Sequence, residues 1–107
     1  MSYVYIGSPY YHPDAKVREQ RYHSVAHYLH RCLLARKWAY SPIVHCHYLS
    51  VEFGLPPEAE FWREYDFTML ACARTFEILR IEGWQESVGL AAELDEAFRL
   101  NIPVIYV

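Results

Sequence analysis

The sequence predicts a doubly wound α/β domain, a four-stranded and mainly parallel sheet with helices on both faces. Short runs of β-branched and aromatic residues, at 3–7, 75–80 and 103–107, read as strands. Between them, residues 13–36, 58–73 and 87–100 carry apolar side chains at helical spacing. Alternation of the two requires crossover connections between parallel strands.

The first strand, Tyr3-Val4-Tyr5-Ile6-Gly7, ends on a glycine before the loop Ser8-Pro9-Tyr10. Pro13 suits the first turn of a helix in which Tyr22, Val25, Ala26, Leu29, Cys32 and Leu33 form one stripe. A short strand is expected at 39–43, followed by a loop over 44–57, where Gly54, Pro56 and Pro57 interrupt regular structure. The next helix presents Trp62, Tyr65, Met69, Leu70 and Ala73 on one face. Gly83-Trp84 reads as a turn, and the helix 87–100 is expected to bury Leu90, Ala91, Leu94 and Phe98. Asn101 marks its end, and Pro103 leads into the last strand. In such flavodoxin- or Rossmann-like sheets, ligands bind at the carboxyl ends of the strands. The segments after residues 7, 43 and 80 meet at that edge.

The 107 residues fit one domain over 1–107. A domain this small buries a modest share of its surface, so a homodimer or higher homo-oligomer is expected. A net charge of −3 argues against duplex nucleic acid as partner. No apolar run reaches the roughly 18 residues that span a bilayer, and the start of the chain reads as a strand and not a signal peptide. Cys32, Cys46 and Cys72 are odd in number, far apart and without a CxxC pair, which fits reduced thiols in the cytoplasm.

Two carboxylates stand out. Asp66 falls on the apolar stripe of its helix, between Trp62 and Leu70, where a charge is costly unless it has partners or lines a pocket. It is read either as a pocket group or as an edge residue bonded to backbone. Glu93 lies one helical turn beyond Gly89, on the same side of the helix. Ser87 is a natural N-cap, and its hydroxyl and the neighbouring N–H groups make an anion cradle beside that carboxylate. Taken alone, a capped helix with a surface Glu is the commoner explanation of this spacing.

Together the strand ending Tyr5-Ile6-Gly7-Ser8, the segment Asp66 to Ala73 leading into a strand, and Ser87-x-Gly89-x-x-x-Glu93 resemble the nucleoside 2-deoxyribosyltransferase superfamily. The chain looks most like its short branch, the 2′-deoxynucleoside 5′-phosphate N-hydrolases. It also resembles small bacterial and phage proteins of unassigned function that share a Ser-Pro-Tyr turn, a Ser-Pro-Ile-x-His-x-His segment and a Gly-Trp-x-x-Ser-x-Gly motif. Here these are Ser8 to Tyr10, Ser41 to His47 and Gly83 to Gly89. The resemblance implies that Glu93 is the nucleophile attacking C1′ of the sugar, that Asp66 is the acid assisting departure of the base, and that Tyr5 orients Glu93. It implies that Ser87 and Gly89, with Ser8, cradle the 5′ end of the substrate. The implied chemistry follows two-carboxylate glycosidase logic, with one group ionised and the other protonated. Transferases of the superfamily carry an acidic residue near the position of Ser87, so a serine there favours a phosphate-bearing substrate and hydrolysis. Members often complete the site with a neighbour's C-terminal segment. This chain stops at Val107, so either that wall is absent or another segment supplies it, with 44–57 as the candidate.

Other groups were weighed beside these. His23, His27 and His30 flank the first helix's stripe after Glu19, and with His45 and His47 they form a conceivable metal set, but compact zinc spacing is missing. His45 and His47 are read equally as substrate-contacting pocket residues and as a turn tucked beneath a loop. Trp62 and Trp84 are read first as core or interface residues and second as platforms for a base. Gly7-Ser8-Pro9 lacks the spacing of a dinucleotide fingerprint or phosphate loop. The expected function is hydrolysis of the base–sugar bond of a nucleoside 5′-monophosphate, the deoxy form included, with no cofactor and no metal. Base transfer between deoxynucleosides and a non-catalytic nucleotide-binding module on the same fold are the alternatives.

Overall fold

The first strand, β1 (Val4–Gly7), lies inside the sheet with all its residues buried. The computed structural model describes residues 2–107. After β1 come α1 (Ala15–Leu34), β2 (Ala39–Tyr40), α2 (Pro42–Phe53), α3 (Ala59–Ala71), β3 (Thr75–Ile78), a 3-10 turn (Trp84–Glu86), α4 (Val88–Arg99) and β4 (Val104–Tyr106). The sheet order is β2-β1-β3-β4 and every pairing is parallel. The chain moves to one side of β1 through α1 and to the other through α2 and α3. The order therefore reverses between β1 and β3, which is where open α/β sheets bind ligands. This is the doubly wound fold expected from the sequence, with a sheet that is wholly parallel.

The alternation of side chains along the strands gives each face its own core. Val4 and Ile6 pack against Val25 and Cys32 of α1. Tyr5, Phe76 and Ile78 pack against Leu70 of α3 and Leu90 and Ala97 of α4. Gly7 makes the second layer possible, because a Cβ there would lie 2.3 Å from the Phe76 ring and 2.8 Å from Leu90 Cδ1.

The expected loop over 44–57 is mostly helix. Ser41 caps α2, its Oγ accepting from the Val44 N–H at 3.2 Å, and Pro42 occupies the first turn. Gly54 closes the helix in the left-handed conformation, φ 75°, with its N–H on the Ser50 carbonyl. Gly54, Pro56 and Pro57 thus end a helix and do not exclude one. The same Ser41-Pro42 start shortens the strand expected at 39–43 to Ala39–Tyr40, since proline offers no N–H to a ladder.

α4 is also rotated from its expected face. Its buried residues are Leu90, Glu93 and Ala97, whereas Ala91 and Phe98 face outward. A carboxylate occupies a core-facing position that an apolar count passes over.

On the α1 side, Glu77 of β3 is buried within the sheet. Lys37 makes an ion pair with it and the Tyr28 hydroxyl donates to Oε1 at 2.6 Å. A buried carboxylate without its cation is costly. Lys37→Met is therefore expected to lose roughly 3 kcal/mol of folding stability in urea titration, and adding Glu77→Leu should recover most of it. A Lys37→Met protein as stable as wild type would show that the pair is not holding β3.

Candidate active site

A cavity of about 480 Å3 opens above the carboxyl ends of β1 and β3. The segment after β1 supplies Ser8 and Tyr10, α2 supplies Cys46 and His47, α3 supplies Trp62 and Asp66, and the start of α4 supplies Ser87, Gly89 and Glu93. Topology brings the walls together: Ser8, Ser87 and Gly89 lie where elements end or begin at one sheet edge, and Cys46, His47, Trp62, Asp66 and Glu93 reach the cavity from within α2, α3 and α4.

Glu93 reaches the cavity from the core side of α4 and is 8% exposed. The Tyr5 hydroxyl, from β1, donates to its Oε2. Tyr5 is itself fully buried, and its hydroxyl is held well above its ordinary range by burial and by the carboxylate beside it. It therefore stays protonated and remains a donor. Burial pushes Glu93 up to about 8, against the opposing effect of the Tyr5 hydrogen bond and with a further rise from the charge of Asp66.

Asp66 stands half-buried on the inward side of α3. Its Oδ1 is buried and has no partner among the described residues. Burial alone raises it to about 7. The backbone-bonded edge residue is thus ruled out in favour of a cavity carboxyl. Two carboxyls with raised values therefore share one concavity.

At the start of α4, Ser87 accepts the Leu90 N–H on its Oγ at 3.1 Å, which leaves the hydroxyl proton free to be donated. The Ala91 N–H goes to the Ser87 carbonyl, and the helix start leaves the Val88 and Gly89 N–H groups without intrahelical acceptors. Ser8 faces the same cavity, and its Oγ, buried at 5% exposure, has no partner among the described residues. Gly89 serves packing as well as access. A Cβ there would stand 3.2 Å from Ala59 Cβ, pressing the first turns of α4 and α3 apart.

The two histidines of α2 separate. His47 is buried and lines the cavity. His45 does not line it: its ring stacks on Tyr65 at 5.8 Å and meets the Tyr65 hydroxyl at 3.1 Å on the outer surface. Once 44–53 is helical, residues two apart cannot face the same way, and this corrects the expectation that both line the pocket. Trp84 packs into the core against Leu90's cluster, whereas Trp62 lines the cavity with its indole N–H on the Pro56 carbonyl at 2.7 Å. Burial raises the Cys46 thiol to about 12, so it is no nucleophile at neutral pH. Among the described residues no three His, Cys, Asp or Glu side chains are placed to hold a metal ion.

Several lining residues had no signal in the sequence. Arg21 of α1 and Arg63 of α3 bring cations to the cavity, and Glu86 brings a carboxylate beside Ser87. Arg21 also holds the carbonyls of Tyr10 and Tyr11, at 3.3 and 3.0 Å, and lies against Gly83.

A family model described as a domain of unknown function, DUF1937, matches residues 2–107. The chain belongs to the DUF1937 family. No curated protein matches it as a relative. The DUF1937 match takes in all four strands and every residue of the cavity, so the site and the fold belong to one family unit.

No helix of the described residues is long and apolar enough to cross a membrane.

Proposed function

We propose that the chain hydrolyses the base–sugar bond of a nucleoside 5′-monophosphate, in the manner of the 2′-deoxynucleoside 5′-phosphate N-hydrolases that its motifs resemble. The observation that carries this reading is the pair Asp66 and Glu93, two carboxyls raised by burial in one cavity, with the Tyr5 hydroxyl on Glu93. Ionised Glu93 attacks C1′ while the C1′–N bond breaks, and the bond's electron pair leaves with the base. The base takes its proton from Asp66. Water then adds to C1′, giving one proton back to Asp66 and releasing Glu93 as carboxylate. Each turnover thus begins and ends with one proton on the pair.

Both carboxyls are raised, and the reactive arrangement has the pair's one proton on Asp66 and Glu93 ionised. Two effects favour the reactive arrangement: the hydrogen bond from Tyr5 and positive charge developing on the sugar both stabilise the Glu93 anion. The cradle of Ser8, Ser87 and the Gly89 N–H is the site for the 5′ phosphate, with Arg21 and Arg63 on the same cavity wall as cations. The reading includes a homo-oligomer in a reducing cytoplasm.

One observation favours a second reading. Glu86 lines the cavity immediately before Ser87, and a carboxylate there accepts a hydrogen bond from a free 5′ hydroxyl while repelling a phosphate. A nucleoside substrate, with transfer of the sugar to an acceptor base, would suit it.

Chromatography of free base released from ribo- and deoxyribonucleoside 5′-monophosphates and their nucleosides separates the readings. Release from the monophosphates alone is the expected result. Release from nucleosides, dependent on an added acceptor base, would select the second reading. Binding without release from either would make this a nucleotide-binding module.

A further inference from the structure

The wall of the cavity made by the segment after β1 and by α2 holds a hydrogen-bonded chain that the proposed reaction does not use. The Tyr10 hydroxyl meets His47 Nδ1 at 2.7 Å, and His47 Nε2 meets Glu19 Oε2 at 2.7 Å. Tyr10 and His47 line the cavity, whereas Glu19 reaches the ring from α1 on the outer side.

The ring of His47 is held on every side. Tyr22 stacks on it, with centroids 4.2 Å apart and planes 22° apart, and Tyr10 stands edge-on at 5.6 Å. Arg21 fastens the backbone of Tyr10 and Tyr11 to α1. The buried, stacked His47 ring, tied to the half-exposed Glu19, is fixed in one imidazole orientation.

The direction of the chain follows from donor and acceptor chemistry. Glu19 is held below its ordinary range, first by its hydrogen bond with His47, so it is ionised and can only accept. His47 Nε2 therefore donates to Glu19, and in the tautomer that this pairing selects the lone pair lies at Nδ1. Tyr10 must donate its hydroxyl proton to that lone pair. What remains on the Tyr10 oxygen is acceptor capacity alone, one share of which the Arg18 guanidinium engages.

Resting on the nucleotide reading above, we infer that Tyr10 is a specificity residue: its oxygen, set as an acceptor by His47 and Glu19, accepts a hydrogen bond from a hydroxyl or amino group of the substrate. Such a site distinguishes ligands by what they donate. A ligand lacking the donor leaves the remaining acceptor position of the Tyr10 oxygen unfilled, the kind of loss that polar sites discriminate against most strongly. His47 and Glu19 are positioning residues that act through Tyr10.

Two measurements test this. The first is 15N NMR of the His47 ring in the wild-type protein without ligand. The protonated Nε2 and unprotonated Nδ1 tautomer is expected, and the reverse tautomer would overturn the directional chain. The second is calorimetric binding, in a Glu93→Gln background that prevents turnover, of the four 2′-deoxynucleoside 5′-monophosphates. For the best binder, analogues lacking the 3′ hydroxyl or the amino group of the base are added. Tyr10→Phe should weaken the full ligand roughly five- to tenfold and leave unchanged the affinity of the one analogue that lacks the recognised donor. That analogue names the group as sugar or base. Glu19→Ala should weaken binding with the same ligand dependence, and Glu19→Gln, whose amide oxygen still accepts from Nε2, should restore it. Equal effects of Tyr10→Phe on all three ligands, or none, would overturn the inference while leaving the nucleotide reading intact. Failure of all four monophosphates to bind the Tyr10-containing protein would overturn the nucleotide reading and the recognition role with it, and the tautomer would still decide the chain's direction.

Discussion

Glu93→Gln is expected to lose base release by on the order of 10^3-fold or more while making the fold more stable. Both effects come from one buried carboxyl. The amide keeps the shape and still accepts the Tyr5 hydrogen bond, but it cannot attack C1′. The sign of the stability change follows from the raised value of Glu93, about 8 folded against an ordinary 4.5. Below the ordinary value both the folded and unfolded chains hold the proton and the carboxyl costs nothing. As pH rises from there towards about 8, the unfolded chain releases its proton and the folded one retains it, so wild-type stability falls through that window. Glutamine does not titrate. The stability advantage of Glu93→Gln should therefore grow between pH 4.5 and pH 8 and level off beyond it, reaching on the order of a few kcal/mol. Thermal melts of the two proteins at pH 5 and pH 8 check this. A variant that is inactive and equally destabilised at both values would make Glu93 a packing residue.

Asp66→Asn should cost roughly 10^2- to 10^4-fold in kcat/KM and remove the alkaline limb of its pH profile. With group values of about 7 and about 8, the one-proton form of the pair is most populated between them, and wild-type kcat/KM should peak there. Below that range both carboxyls are protonated and the nucleophile is lost. Above it both are ionised and the departing base finds no acid. Asparagine removes the acid, so the rate lost on the alkaline side disappears along with most of the activity. A substrate whose leaving group departs without a proton should be nearly indifferent to the change. An Asp66→Asn profile that keeps its alkaline limb would assign the acid to another group.

The strands were legible because parallel strands buried on both faces read as short apolar runs, and β1, β3 and β4 do so at Val4–Gly7, Thr75–Ile78 and Val104–Tyr106. α2 was hidden because its C-terminal glycine and the two prolines beyond it are loop residues wherever they stand, and because two polar histidines break its apolar pattern. The face of α4 was legible at Leu90 and Leu94, which pack into the core, and not at Glu93: a count of apolar positions selects Ala91 and Phe98, which face outward, and passes over a buried carboxylate. Asp66 was visible as an oddity and Ser87, Gly89 and Glu93 as a capped helix start, whereas Ser8 was reached only through the family resemblance; the cavity contains all five. The contacts of Tyr10, Glu19 and Arg21 were not visible. Glu19 meets His47 across 28 positions of sequence, and nothing local to either residue records that meeting.

The most direct test is mass spectrometry of the protein quenched after reaction with a nucleoside 5′-monophosphate whose sugar carries 2′ fluorine, which slows release of a glycosyl intermediate by disfavouring the cation-like state. The peptide containing Glu93 is expected to gain the mass of the sugar phosphate in step with the first equivalent of free base, and Glu93→Gln to gain none. Free base released with no mass on that peptide, or the same mass on the Glu93→Gln protein, would contradict the assignment of Glu93 as the nucleophile.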